Sequence, residues 1–194
     1  MWVAYACGAF AGLMVISQLI PFATDRGVSL GFATIAGLIF GAVGNAAGRI
    51  FSGAMSDRFG RLNTLRLMLA ISIVAVPVMY YVTGTFEIPV FFLLLTFVVY
   101  YCYGTQLSVN AATASDFWGT KNAGINYGLL FTAWGVAGYF GPRVAGALFD
   151  ADGNYERAFW VATVLALVDL LSELLARRPK APTVALTPAP AAGS

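Results

Sequence analysis

Six apolar stretches divide this chain, and each is long enough to cross the hydrocarbon core of a bilayer, which takes about 20 helical residues. We place them near residues 2–22, 33–56, 64–83, 89–112, 123–148 and 156–176. The strands of a membrane β-barrel would be about half as long and would alternate in polarity, so helices are favoured. Hydrophobic residues make up 59% of the chain and charged residues 10%, against about 25% charged residues in soluble domains. The sequence therefore predicts an all-α integral membrane protein with six transmembrane helices.

The basic residues between these stretches lie mainly on one side of the predicted bundle. That side holds Arg58, Arg61, Arg66, Lys121, Arg177, Arg178 and Lys180. The other side holds Arg26 and Arg157 with the acidic residues Asp25, Glu87, Asp150, Asp152 and Glu156. Because cytoplasmic loops carry an excess of Lys and Arg, we expect both termini in the cytoplasm. As a separate expectation, we place the bundle in a bacterial inner (plasma) membrane. We divide the chain into a bundle at 1–178 and a disordered cytoplasmic tail at 179–194, rich in Pro and Ala.

Several functional classes find no support in the composition. The chain has no His and two Cys, and both Cys7 and Cys102 lie within apolar stretches, as small core residues do. Its net charge of +2 gives no strong basic field for nucleic acid. Clustered metal ligands, a nucleophile with an adjacent base and a phosphate-binding glycine loop are all lacking in the sequence. We expect no cofactor, no metal and no enzymatic activity.

One arginine, Arg49, lies well inside the second stretch, in GNAAGRIFSGAMSDRFGR (44–61). A cation deep in a membrane helix costs about 2.5–3.5 kcal/mol on insertion scales, so it usually faces an aqueous cavity or a partner charge. Asn45 is four residues away and shares its helix face. We favour a guanidinium that lies in a cavity and binds both oxygens of a substrate carboxylate. The alternative is an arginine that snorkels to the nearby interface or forms a structural pair.

Other polar and aromatic side chains are candidates for the same cavity. These are Gln18 in the first stretch, Tyr103 and Gln106 in the fourth, and Tyr127 and Trp134 in the fifth. Aromatic stripes are more often core or lipid-facing, and that alternative stays open. Aromatic hydroxyls near an arginine favour a small organic anion in a narrow, partly apolar cavity.

Two carboxylates, Asp169 and Glu173, lie in the sixth stretch. Glu173 is four residues from Arg177, and we expect these two to pair. Asp169 lies deeper. It is either a proton site or, as we favour, a residue whose helix faces lipid or the back of the bundle.

Glycine is frequent in the stretches, as in GLIFGAVG, GNAAGR and GVAGYFGPRVAG. Small-xxx-small spacing lets helix backbones approach closely. The spacing predicts a tightly packed bundle, and it does not separate sliding contacts from ordinary packing.

The segment GAMSDRFGR resembles the cytoplasmic loop signature of the major facilitator superfamily, carried here by Gly53, Asp57, Arg58, Gly60 and Arg61. The resemblance implies a cytoplasmic gate, with Asp57 capping a helix N-terminus or pairing with an arginine across the bundle. A simple positive-inside loop is the alternative.

Three further segments resemble the oxalate/formate antiporter family, near the monocarboxylate transporters: residues 5–16 (YACGAFAGLMVI), residues 45–49 (NAAGR) and residues 116–150. The resemblance implies a secondary transporter of twelve helices, of which this chain is the C-terminal six, built as two inverted three-helix repeats. An N-terminal six-helix half would then be its partner. The first, second, fourth and fifth helices would line the cavity.

The resemblance also assigns roles in the site. Arg49 matches the arginine that binds the substrate carboxylate, and Trp134 matches, within about a residue, a lysine that the oxalate carrier uses as a second cation. One cation fits one carboxylate, so the expected substrates are formate, lactate or pyruvate, moved by antiport or proton symport. The alternatives are an oxalate/formate exchanger and a non-transporting receptor for a small carboxylate.

Overall fold

The computed structural model describes residues 1–83 and 89–176. Within them the chain forms six long helices and no β-strand. The helices are α1 (Trp2–Asp25), α2 (Leu30–Phe59), α3 (Arg61–Val82), α4 (Pro89–Trp118), α5 (Ala123–Asp152) and α6 (Glu156–Leu175). The predicted all-α class is confirmed.

Helices α1, α2, α4 and α5 run further than the apolar stretches from which they were predicted. Between the second and third stretches the interval 57–63 contains a single non-helical residue, Gly60, and after the fourth stretch α4 continues to Trp118. Charged residues at helix ends gave these intervals the composition of loops. The predicted tail, Arg177 and most of the loop at 83–89 lie outside the described residues.

Five of these helices are long and apolar enough to cross a membrane: α1, α2, α3, α4 from Val90, and α6. The remaining helix, α5, has 30 residues and is therefore long enough. Its glycines, Pro142 and Arg143 dilute its apolar character. We attribute its weaker hydropathy to this composition.

The packing pattern has an approximate two-fold symmetry that exchanges α1–α3 with α4–α6. Helix α1 packs against α5 and α6, and α4 packs in the same way against α2 and α3. Helices α3 and α6 pack against each other. Since α1 and α4 enter the bundle from opposite ends, the two units are inverted with respect to each other, as in half of a major facilitator fold.

Helix α2 is interrupted by one π-helical turn at Ala36–Phe40, between α-helical Leu30–Ile35 and Gly41–Phe59. It begins at Ser29, whose hydroxyl accepts a hydrogen bond from the backbone N–H of Phe32. It ends at Gly60, where φ is +90°, a value that L side chains rarely adopt. A one-residue turn therefore joins α2 to α3.

Glycines bring the backbones of α2 and α4 into direct contact. A Cβ on Gly44 would lie 2.6 Å from the carbonyl oxygen of Phe97. Gly48 lies in the same way against Tyr101, and Gly104 of α4 against the backbone of Asn45. We call these three glycines the α2–α4 seam. By contrast, Gly128, Gly135 and Gly146 of α5 have open space beside them, so the predicted close approach is found in α2 and not along most of α5.

We use "motif end" for the end of the bundle that carries Gly60 and the turn between α4 and α5. At the opposite end, an aromatic cluster of Phe22, Tyr80, Tyr155 and Phe159 closes the core, and the Arg26 guanidinium lies 4.1 Å from the Tyr80 ring centre. Tyr155 lies in the turn before α6. Burial, reinforced by the nearby carboxylates of Asp25 and Asp150, raises the pKa of Tyr155.

Candidate functional site

Arg49 is exposed on α2, one helical turn from Asn45. Its Nε donates a hydrogen bond to Asn45 Oδ1 at 2.9 Å. No carboxylate forms an ion pair with Arg49 among residues 1–83 and 89–176. The i, i+4 spacing that singled out this pair in the sequence thus produces a direct contact, and Asn45 orients the guanidinium.

An aromatic group from α4 and α5 forms a wall of the site. Trp134 Nε1 donates a hydrogen bond to the hydroxyl of Tyr103 at 2.5 Å, which ties α5 to α4. The Trp134 ring stacks on Phe131, with ring centres 5.1 Å apart and planes 7° apart. Tyr127 continues the group, with its ring centre 5.3 Å from that of Phe131.

Arg49 is close enough to this wall to act on it electrostatically. Its charge acts on the hydroxyls of Tyr5, Tyr103 and Tyr127. Gly104, which follows Tyr103, packs on the backbone of Asn45. The guanidinium on α2 and the phenol hydroxyls on α1, α4 and α5 are thus within electrostatic reach of one another. Phenol hydroxyls both donate and accept hydrogen bonds, so this region suits an anion with oxygen atoms.

Tyr5 is the member of this group that sequence reasoning did not select. Its side chain is 1% exposed, and its hydroxyl lies beside that of Tyr127 without a partner at hydrogen-bond distance. Tyr5 lies within the segment 5–16 that carried the family resemblance. The sequence offered no polar periodicity in α1 to mark it.

Two of the predicted site residues lie elsewhere. Gln106 is buried, and its Nε2 donates to Asp169 Oδ2 of α6 at 2.8 Å. Asp169 thus faces the interior of the bundle. Helix α6 itself exposes an apolar face with Val164 and Leu171, as expected of a helix that faces lipid. Gly12 of α1 faces the Tyr103 ring. Gln18 is six residues further along α1, a helical rise of about 9 Å. Among residues 1–83 and 89–176, neither glutamine forms a hydrogen bond with Arg49.

The predicted gate residues meet at Arg61, the first residue of α3. Arg61 Nη1 pairs with Asp57 Oδ1 at 2.5 Å and donates to Ser56 Oγ at 2.6 Å, and Arg61 Nε reaches Asp116 Oδ2 of α4 at 3.1 Å. Asp57 pairs with Arg61 four residues further along the chain. Among residues 1–83 and 89–176, Asp57 neither caps the N-terminus of α3 nor pairs with an arginine across the bundle, so the predicted gate role stays a prediction. Arg58 is exposed, and Gly53 has open space beside it.

The donor chemistry of the site suits anion binding. Within the part of the chain that the structure describes, no three His, Cys, Asp or Glu side chains come together as metal ligands. Arg49 is permanently charged and cannot serve as a base. The arrangement can hold and orient an anion with oxygen ligands.

Comparisons with known proteins identify the family of this chain and agree with its helical fold. The Major Facilitator Superfamily matches the chain over residues 1–194. The oxalate:formate antiporter of Oxalobacter formigenes is 24% identical over 168 residues, which cover 87% of this chain and 39% of the antiporter. The chain thus spans about two-fifths of that relative. Together with the apolar helices, the match shows an integral membrane protein with half of a transporter fold, and the chain belongs to the Major Facilitator Superfamily.

Proposed function

We propose that this chain is the C-terminal half of a secondary carrier for small monocarboxylates such as formate, lactate or pyruvate. The observation that carries the proposal is the environment of Arg49. A guanidinium is oriented by Asn45, has no carboxylate partner among the described residues, and lies near three tyrosine hydroxyls. A small carboxylate supplies the charge and the acceptors that this site lacks.

The proposed binding mode follows from the donors of Arg49. Its Nε is used by Asn45. The two terminal nitrogens remain for the two oxygens of a carboxylate, a geometry that the planar guanidinium matches. Tyr103 and Tyr127 would contact the same anion, and Trp134 would limit its size.

The number of cations decides between a monocarboxylate and oxalate. Trp134 stands where the resemblance places the second cation of the oxalate carrier, and its ring stacks on Phe131. A second carboxylate would be left uncompensated in a low-dielectric cavity, at a cost of several kcal/mol. Oxalate/formate exchange is the second candidate, favoured by the name of the relative, and it requires another cation from outside this chain.

Transport requires a second wall, which we assign to an N-terminal six-helix half. Rocking of the two halves would expose Arg49 to each side of the membrane in turn. We place the motif end in the cytoplasm of a bacterial cell, in the inner membrane, because of its basic residues. The carrier would work by anion exchange or by proton symport.

The proposal is tested by uptake into proteoliposomes that contain the chain with a matching N-terminal half. Labelled formate, lactate and oxalate are compared for the wild type, Arg49→Ala and Arg49→Lys. We expect formate or lactate uptake by the wild type and a loss of at least about 100-fold in Arg49→Ala, since a buried charge-assisted pair contributes about 3 kcal/mol. Arg49→Lys should keep only part of the activity, because an ammonium lacks the planar pair of donors that binds both carboxylate oxygens.

The matched control is Arg157→Gln, which removes an exposed arginine in an ion pair with Asp152 near the opposite end. It should transport like the wild type. Preferred uptake of oxalate would contradict the single-cation argument. Heat protection by formate without any uptake would favour a receptor over a carrier.

A further inference from the structure

A second polar site lies behind the first, where α1, α4 and α6 meet. Asp169 of α6 is 2% exposed, and Gln106 of α4 is 6% exposed. Gln106 Nε2 donates to Asp169 Oδ2 at 2.8 Å. Gly8 of α1 makes room for the pair, since a Cβ there would collide with Asp169 Oδ2 and with both Nε2 and Oε1 of Gln106.

One acceptor in this site has no donor. Gln106 Oε1 is buried without a hydrogen-bond partner, although it converges with Asp169 Oδ2 on the same point beside Gly8. A buried unpaired carbonyl costs about 1–3 kcal/mol. A neutral carboxylic acid at Asp169 would accept from Gln106 Nε2 and donate to Gln106 Oε1, which completes a reciprocal pair.

The charges that face Asp169 do not neutralise it. Glu173 lies one turn along α6 and adds a charge of the same sign, and the cationic amino group of Met1 acts on Asp169 more weakly than Glu173 does. Arg66 of α3 approaches Glu173, but its Nε and Nη2 donate to the backbone carbonyl of Glu173 at 3.1 and 2.6 Å. Its Nη1 donates to Asn63. Neither carboxyl has an ion pair within the described residues, and a buried carboxylate without one is strongly disfavoured.

Glu173 extends this site towards the motif end. It is 1% exposed, and its Oε2 is buried without a hydrogen-bond partner among residues 1–83 and 89–176. Two carboxyls one turn apart form a short route along which a proton passes from one carboxyl oxygen to the next. During inward transport the motif end is the side to which the proton is released.

We propose that Asp169 and Gln106 form a proton-binding site, distinct from the anion site at Arg49, which exchanges its proton with the motif end through Glu173. Asp169 holds the proton and donates it to Gln106 Oε1. Gln106 lies three residues from Tyr103 on α4, so one helix contacts both the proton and the anion. The role of this proton in transport rests on the proposed function, whereas its presence on Asp169 does not.

Infrared spectroscopy of the purified chain at neutral pH tests for the proton. We expect the carbonyl-stretch band of a protonated carboxylic acid, which shifts on labelling with carbon-13 aspartate and disappears in Asp169→Asn. The asparagine can form both bonds with Gln106, so this variant should fold. The control Asp150→Asn removes an exposed carboxylate and should leave the band unchanged. A spectrum without an aspartate-dependent band overturns the proposal.

Proteoliposomes that contain both halves test the coupling. When the pH is equal on both sides, the control Asp150→Asn should exchange anions at the wild-type rate, and Asp169→Asn should retain measurable exchange. It should lose the acceleration that an inward proton gradient gives the wild type. Retained acceleration in Asp169→Asn, or none in the wild type, overturns the coupling. Absence of anion exchange in the wild type would instead refute the proposed function and leave the spectroscopic result intact.

Discussion

At the scale of single residues, the contact between Tyr103 and Trp134 connects substrate recognition to helix packing. The indole N–H donates to the phenol oxygen, which leaves the phenol proton free to donate to an anion. The two side chains belong to α4 and α5. Trp134 of α5 therefore holds the Tyr103 side chain in place, and Tyr103 presents its hydroxyl from α4.

We predict that Tyr103→Phe weakens anion binding by about 0.5–1.5 kcal/mol, which corresponds to about a 2- to 10-fold rise in half-saturation. The substitution removes one donor to the anion and the acceptor of the Trp134 N–H, and it leaves the ring in place. The half-saturation constant for formate or lactate uptake measures the effect. Tyr139→Phe, which alters an exposed tyrosine of α5, is the matched control and should keep the wild-type value. Equal half-saturation constants for the wild type and Tyr103→Phe would show that Tyr103 does not contact the anion.

The residues of the site differ in how far the sequence could identify them. Asn45 and Arg49 were recognisable because an isolated cation and its neighbour at i, i+4 share a helix face. Gln106 was assigned to the wrong partner because α4 packs against several helices, so polar residues on more than one of its faces are buried. Tyr5 could not be selected, since its role depends on the approach of α1 to α5 and not on any local pattern.

At the scale of helices, the α2–α4 seam fixes the position of Arg49 relative to Tyr103. Gly48 precedes Arg49, and Gly104 follows Tyr103, and both are in contact with backbone atoms of the facing helix. Polar contacts reinforce the seam, since Thr105 Oγ1 donates to Ser52 Oγ at 2.7 Å and Ser52 Oγ donates to the Tyr101 hydroxyl at 3.2 Å. The seam therefore determines the distance between the cation and the aromatic wall.

We predict that Gly48→Ala destabilises the bundle by about 1–3 kcal/mol, because overpacking forces the backbones apart. It should also reduce anion affinity, since Arg49 moves with its neighbour. Thermal unfolding of the purified chain measures the stability. The control Gly146→Ala places a methyl group in open space on α5 and should be neutral or stabilising by up to about 1 kcal/mol. Equal losses of stability in Gly48→Ala and Gly146→Ala would contradict the role of the α2–α4 seam.

The sequence predicted the number of helices better than their ends. Apolar length marks a membrane span because about 20 residues must cover the hydrocarbon. It does not mark where the helix stops, since α2 and α4 continue through charged residues to Phe59 and Trp118. Similarly, glycine spacing indicated close contacts without identifying α4 as the partner of α2.

At the scale of the whole molecule, Arg61 connects three helices at the motif end. Asp57 belongs to α2, Arg61 begins α3, and Asp116 lies near the end of α4. Both carboxylates are substantially exposed, so the ion pairs stabilise the fold only weakly. Their geometry favours a role in holding one arrangement of the helices, which a conformational change can release.

We predict that Arg61→Gln lowers stability by no more than about 1 kcal/mol, because exposed pairs contribute little, but clearly changes the rate of transport. The measurement is the initial rate of uptake together with the half-saturation constant. The rate should change while the constant stays near the wild-type value. A variant with a wild-type rate would show that these pairs do not limit the conformational cycle. Arg58→Gln, in the same motif but without such contacts to Asp57 or Asp116, provides the comparison.

The one-residue turn at Gly60 has a mechanical consequence for such a cycle. Two helices joined by a single residue cannot move apart at that turn. A tilt of α2 therefore also moves the N-terminal end of α3. Arg49 lies eleven positions before Gly60 on the same helix. A displacement of Arg49 along with α2 therefore also moves Arg61 and its ion pairs.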